Sequence, residues 1–267
     1  YYDTRDVYTF TDKGGLPRNQ FERLQTGELN ETKYGENFSL GTEIEKNGKL
    51  AITIRNEKQR YYDLKDSILP DYYSIQSLKI GTIFDNEDRA DFPTSGRVLD
   101  MSLEIPLPFY STTDAIGFSK AKLYFRSNST IGISTIRVSG LFGFADRTLP
   151  LPEFFEMGGQ ESFFGMREDE ERGEQIVLGS IEYRIHPDIK FFFSTYFSIR
   201  YDLGAVWLQT EDIKFSKFKH GIGGTISFDT PVGPAKFSLG RAFYFVKDPS
   251  GITWSPFAIY FSIGMKL

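Results

Sequence analysis

The segment Phe257 to Leu267 alternates without a break: Phe257, Ile259, Phe261, Ile263, Met265 and Leu267 share one side, while Ala258, Tyr260, Ser262, Gly264 and Lys266 share the other. A period of two means β-strand, because successive side chains point to opposite faces. The same alternation recurs along the chain. Leu40, Thr42 and Ile44 oppose Gly41, Glu43 and Glu45; after the hairpin signal Asn47-Gly48, Leu50, Ile52 and Ile54 oppose Ala51, Thr53 and Arg55. Further on, Leu99, Met101, Leu103 and Ile105 oppose Val98, Asp100, Ser102 and Glu104. Ala121, Leu123 and Phe125 oppose Lys120, Lys122, Tyr124 and Arg126; Ile136 and Val138 oppose Thr135 and Arg137. Ile181, Tyr183 and Ile185 oppose Ser180, Glu182 and Arg184, and Ile199, Tyr201 and Leu203 oppose Ser198, Arg200 and Asp202. With less regular segments at 72–84, 221–229 and 235–246, and Tyr1 to Phe10 taken as a strand, about twelve antiparallel strands are expected.

One face of each strand is greasy and the other carries charge, and twelve strands decide which face looks out. A soluble barrel of that size would enclose more volume than its side chains can fill. Bare Phe, Ile, Leu and Tyr outside, with glycine and charge inside, suit a lipid exterior and a wet lumen. Turned to lipid near the midplane, Lys120, Lys122, Arg126 and Arg137 would cost about 2 to 4 kcal/mol each. Tyr and Trp favour the two membrane interfaces, which accounts for 16% aromatic content. The mean hydropathy of −0.33 is what an alternating barrel averages to. A net charge of −5 argues against a nucleic-acid surface, and zero cysteine excludes disulfides and thiolate metal sites. Connections alternate short (46–48, 127–130, 187–190, 230–234) and long (11–33, 62–71, 106–115, 143–174, 209–219), as in bacterial outer-membrane barrels. The stretch 85–95 is the exception, being long where parity demands a short turn. Tyr1 is neither Met nor the start of a signal peptide, so a processed or truncated piece is expected.

Between two strand patterns lies EMGGQESFFGMREDEERG, Glu156 to Gly173. Loops this long without their own secondary structure are uncommon and usually functional. Gly158, Gly159 and Gly165 permit φ > 0 or close backbone approach. Phe163, Phe164 and Met166 are costly in water, and Arg167 offers a planar fork for a buried carboxylate. The loop 143–174 is therefore expected to fold back into a cavity, apolar tip first.

Two stretches carry a family resemblance. The first, Phe84 to Gly96, reads FDNEDRADFPTSG; the second is the loop with Gly158, Gly159, Ser162 and Gly165. Both resemble the BamA superfamily of outer-membrane assembly and secretion barrels, in which a strand ends in an aromatic-Asp-x-x-Asp turn and F-P-T-x-G, and a G-G-x-x-S-x-R-G loop follows four strands later. FDTPVGPAKFSL at Phe228 to Leu239 resembles the family's P-x-G-P turn. The closing-strand signal falls on Phe261, Ile263, Gly264 and Leu267, with Leu where an aromatic is usual. The resemblance covers most of Phe84 to Leu267. It implies an all-β, antiparallel transmembrane barrel with the plug loop in its lumen, a single domain 1–267 in the bacterial outer membrane, and a weak seam beside the last strand. Family barrels have sixteen strands, so the chain is expected to be the C-terminal part of a longer protein.

The resemblance also implies site residues. The family's loop arginine falls on Phe164, with Arg167 as its substitute, and the carboxylates it pairs with fall on Glu182 and Asp202. The other arrangement is that Arg184 and Arg200 neutralise those carboxylates as lumen neighbours. Gly165-Met166-Arg167-Glu168 to Gly173 resembles barrels fused to patatin-like phospholipases. The expected partners are outer-membrane lipid and a polypeptide client or fused N-terminal domain. No cofactor, metal or catalytic residue is expected in the chain itself: His186 precedes a proline at a strand end, no G-x-S-x-G elbow occurs, and the acidic run Glu168 to Glu171, of a type that can attract Ca²⁺, reads as a solvated loop face. The alternative reading is a stand-alone outer-membrane enzyme such as the twelve-stranded phospholipase, needing a His and a Ser on one outer face.

Overall fold

The computed structural model describes residues 1–17, 19–107, 115–188, 192–208, 218–246 and 251–264. Twelve strands form one antiparallel meander in chain order: β1 (Tyr2–Asp12), β2 (Arg23–Ile44), β3 (Gly48–Tyr62), β4 (Tyr73–Asp85), β5 (Gly96–Pro106), β7 (Lys120–Ile131), β8 (Ser134–Ala145), β11 (Gln175–Ile185), β12 (Ser194–Trp207), β13 (Lys219–Thr230), β14 (Gly233–Phe245) and β15 (Ile252–Ile263). The short β6 (Ala115–Ile116) runs parallel to β4. β9 (Phe155–Met157) and β10 (Glu171–Gly173) form a separate hairpin at the base of the loop between β8 and β11. The plug loop thus has secondary structure that its glycine-rich spelling hid, including a 3₁₀ turn at Leu151–Glu153.

The register puts the greasy side chains on the outside. Phe38, Leu40, Ile259 and Phe261 are 62–71% exposed, whereas Asp202, Glu31 and Glu57 on the other face are at most 2% exposed. Charges stack by register across that inner face. Arg137, Glu182 and Arg200 lie side by side on β8, β11 and β12, and Lys79, Glu104 and Lys120 on β4, β5 and β7. Strands from both ends of the sheet touch one segment: Arg5 of β1 donates to the Pro152 carbonyl at 2.7 Å, and Tyr260 of β15 to that of Met166 at 2.7 Å. The sheet is therefore curled around the loop. Its apolar core, with Ile75, Phe118, Leu149, Phe155, Met157, Phe163, Met166 and Ile176, lies between that loop and the inner face.

One sequence expectation changes. Residues 23–30 belong to a strand and not to a loop: β2 runs 22 residues and begins at Arg23, so the first long connection shrinks to 13–22. Alternation failed to show this because Glu28, Asn30, Thr32 and Glu36 occupy the outer face, above the greasy band of Phe38 to Ile44. β1 begins opposite Tyr34, and Tyr1 exchanges backbone hydrogen bonds with Gly35, leaving residues 36–44 of β2 paired with β3 alone. β15 pairs with β14; across its other edge, among the described residues, Trp254 bridges to Gln20 and exchanges backbone hydrogen bonds with Asn19 and Phe21 at 2.9 Å.

Candidate functional site

The site is the lumen and the loop inside it. At the loop tip Phe163, Phe164 and Met166 are fully or almost fully buried. The Phe164 N–H donates to Asp202 Oδ2 at 2.9 Å, and the Gly165 N–H to the Tyr260 hydroxyl at 2.9 Å. Ser255 Oγ donates to the Gly165 carbonyl at 3.1 Å, and Gln160 Nε2 to Ser238 Oγ at 2.8 Å. Gly165 has φ +81°, and a Cβ there would sit 2.0 Å from the backbone nitrogen of Ala242, so only glycine fits. Gly240 clears room in the same way: its Cβ would come 2.8 Å from the Phe164 ring. Ser162 lies in the turn closed by the Phe163 N–H on the Gly159 carbonyl at 3.0 Å, and Gly158 passes close to the Arg167 carbonyl.

Beneath the tip, Arg200 is the central cation. Its Nε and Nη2 lie 3.0 Å from Asp202 Oδ2, its Nη1 donates to the Gln160 carbonyl at 2.9 Å, and its guanidinium covers the Phe164 ring at 4.1 Å. Ser180 donates to the other Asp202 oxygen. Glu182 faces Arg137 at 3.7 Å and Arg184 at 3.9 Å. These contacts correct the assignment of Arg167 as the plug arginine. Arg167 is exposed, and its backbone N–H, not its guanidinium, bonds a carboxylate, Glu170 at 2.7 Å. Phe164 sits where the arginine was expected, and a neighbouring strand supplies the cation instead. The acidic run is engaged as well: Asp169 faces Arg172 at 3.2 Å, and Glu171 pairs with Lys219.

The root of the loop is held by charge. Glu153 Oε1 accepts from Arg55 at 2.7 Å and from Gln59 at 3.3 Å, and Lys120 Nζ donates to the Glu153 carbonyl at 2.5 Å. Arg55 also contacts Glu57 at 2.8 Å and Glu104 at 3.1 Å. Burial alone would raise the Glu153 carboxyl, but Arg55 and Lys120 overcome it and hold it down at about 2. Glu156, next along the loop, is pushed up to about 7 by burial and by Asp169, against the pull of Arg172. Sequence reading placed Lys120 in the lumen but did not single out Glu153, Arg55, Ser255 or Tyr260. Tyr260 had a signal, a bulky aromatic alone on the small face of the last strand; Glu153 had none.

The long turn at the short-turn rim also folds inward. Glu87 is bonded by Arg126 Nε at 2.7 Å and by Asn128 at 2.6 Å, and Phe92 stacks on Tyr196 with ring centroids 4.0 Å apart. Arg184 donates to the Pro93 carbonyl. Asp88 accepts from Thr94 Oγ1 at 2.6 Å and from the backbone of Thr94 and Ser95, which holds its carboxyl at about 2. Between this turn and the plug tip lies a cavity of about 740 Å³ whose wall includes Arg137, Glu182, Arg200 and Lys236. On the closing strand Phe261 and Ile263 face outward, and the Gly264 N–H caps the Pro234 carbonyl at 3.1 Å; Leu267 falls outside the described residues.

A greasy outer band, a charged interior and a loop folded into it define a plugged transmembrane β-barrel of the outer membrane. The Omp85 superfamily domain matches residues 4–266, and the chain belongs to that superfamily. Solved structures similar to it include the following two. BamA from Haemophilus ducreyi lacking POTRA domains 1-3 superposes with a TM-score of 0.69 at 16% identity, over 97% of this chain and 57% of that one. CdiB from Escherichia coli gives 0.65 at 13% identity, over 97% and 48%. The chain thus spans about half the length of the structures it matches. No curated protein sequence matches it.

Proposed function

We propose that the barrel inserts, secretes or anchors a polypeptide at the outer membrane, with the plug loop holding β12 to β15 in place. The observation that supports this most is the contrast between its two ends. The loop clamps β12 to β15 from inside, while the outer edge of β15 meets only Asn19 to Phe21 among the described residues. Deleting the gene should remove particular polypeptides from the outer membrane or the medium, and restoring it should return them. An unchanged proteome in both fractions would overturn the proposal.

A second reading, that the barrel anchors a patatin-like phospholipase preceding it in a longer protein, is supported by the spelling of Gly165 to Gly173. It predicts lipase activity in membranes carrying the full-length product and none from the purified barrel. Turnover by the barrel alone would favour the stand-alone enzyme. Against that stands the setting of the histidines: His186 stacks on Tyr196, and His220 shares a 2.6 Å hydrogen bond with Tyr201 and stacks on Phe243.

A further inference from the structure

The inner arginines Arg55, Arg126, Arg137, Arg184 and Arg200 each face a carboxylate. Two outward cations on β3 do not. Lys58 and Arg60 share the outer face with Leu50, Ile52 and Ile54, and among the described residues neither side chain pairs with an acid. Arg60 lies over the rings of Tyr72 at 4.4 Å and Tyr62 at 5.2 Å, and Tyr72 packs edge-on against Tyr34 at 5.0 Å. Its Nε is buried with no hydrogen-bond partner, while Lys58 and Tyr34 are exposed. The acidic side chain nearest in register on this face, Glu36, accepts from Asn56 at 3.3 Å.

Height places this cluster. Lys58 and Arg60 lie ten and twelve residues beyond Gly48 at the short-turn rim. At roughly 3.3 Å per residue and a tilt near 40°, that is about 25–30 Å up, where the apolar band of an outer-membrane barrel ends. Tyrosines prefer that level because their rings are greasy and their hydroxyls wet. A guanidinium backed by rings keeps its outer N–H groups free for a phosphate fork, and an ammonium beside it adds a second charge. Arg241, an outward cation on β14, is already taken up by the Ser255 carbonyl at 2.6 Å and by the rings of Trp254 and Phe257.

We propose that Arg60 and Lys58, framed by Tyr34, Tyr62 and Tyr72, bind the phosphate of an outer-leaflet lipid. The test measures how much diphosphoryl lipid A and how much of its dephosphorylated form stay bound to the intact protein in neutral detergent, by native mass spectrometry. R60Q and K58Q should each weaken binding of the phosphorylated lipid roughly fivefold, with the double variant weaker still, and should leave the dephosphorylated lipid unaffected. Y72L keeps both charges and should give an intermediate loss; K46Q, on the opposite rim, should give none. Heat-modifiability on gels shows that each variant is folded. Equal binding by wild type and the double variant, or equal loss for both lipids, would overturn the assignment.

Discussion

The two ends of the plug are held by different physics. At the root, one carboxylate, Glu153, accepts from Arg55 and Gln59 and faces Lys120 at 3.6 Å. At the tip, backbone N–H groups and two phenylalanines press onto strands stripped to glycine, and Arg200 covers one ring. A charge cluster depends on protonation and salt, whereas a fit between backbones depends on shape. The difference teaches that the tip registers the loop against β12 to β15, and the root fastens it to the opposite wall in a way that conditions can loosen.

The largest effect should come from spoiling the shape. Gly165→Val forces a side chain into the β14 backbone at positive φ, and overpacking plus strain should cost about 4 kcal/mol. The heat-modifiability temperature should fall sharply, and a wild-type value would mean the tip is not seated there. Next, Asp202→Ala leaves Arg200 buried without its acid and frees the Phe164 N–H, for about 3 kcal/mol. Combined with Arg200→Ala it should be strongly non-additive; simple addition would show that the two do not act as one unit.

The root should answer to pH instead. Glu153 is depressed, so its contribution is complete above the usual carboxylate pKa of 4.5 and is lost as pH falls towards about 2, a change of about 3 kcal/mol. Glu156 is raised, so its effect runs the other way, and stability falls as pH climbs from 4.5 through about 7. Hydrogen exchange in residues 151–157, corrected for intrinsic rate, should therefore be slowest near pH 4.5 to 5 while 160–167 stays flat. Parallel profiles would erase the distinction between the ends. The smallest effect belongs to Arg167→Ala: the side chain is exposed, so a change within about 0.5 kcal/mol is expected, additive with Glu182→Gln. A larger, coupled loss would restore Arg167 as the plug cation.

Alternation made the fold legible because lipid outside and water inside impose opposite demands on neighbouring residues. It failed where that contrast lapses: the upper half of β2 stands clear of the greasy band, so its residues 23–33 read as loop. The plug was legible from Gly158, Gly159 and Gly165, since glycine and aromatics together imply close approach. Its expected partners came from the family resemblance and not from pattern: Asp202 does accept from the Phe164 N–H, whereas Glu182 meets Arg137 and Arg184. Glu153 could not be found, because what makes it matter lies on strands nearly a hundred residues earlier, at Arg55 and Gln59.

The inward turn at 85–96 puts two constrictions in series along the lumen, with the cavity of about 740 Å³ between them. Steady ion flow through such a lumen needs both constrictions out of the way together. Removing one should therefore raise conductance far less than removing both.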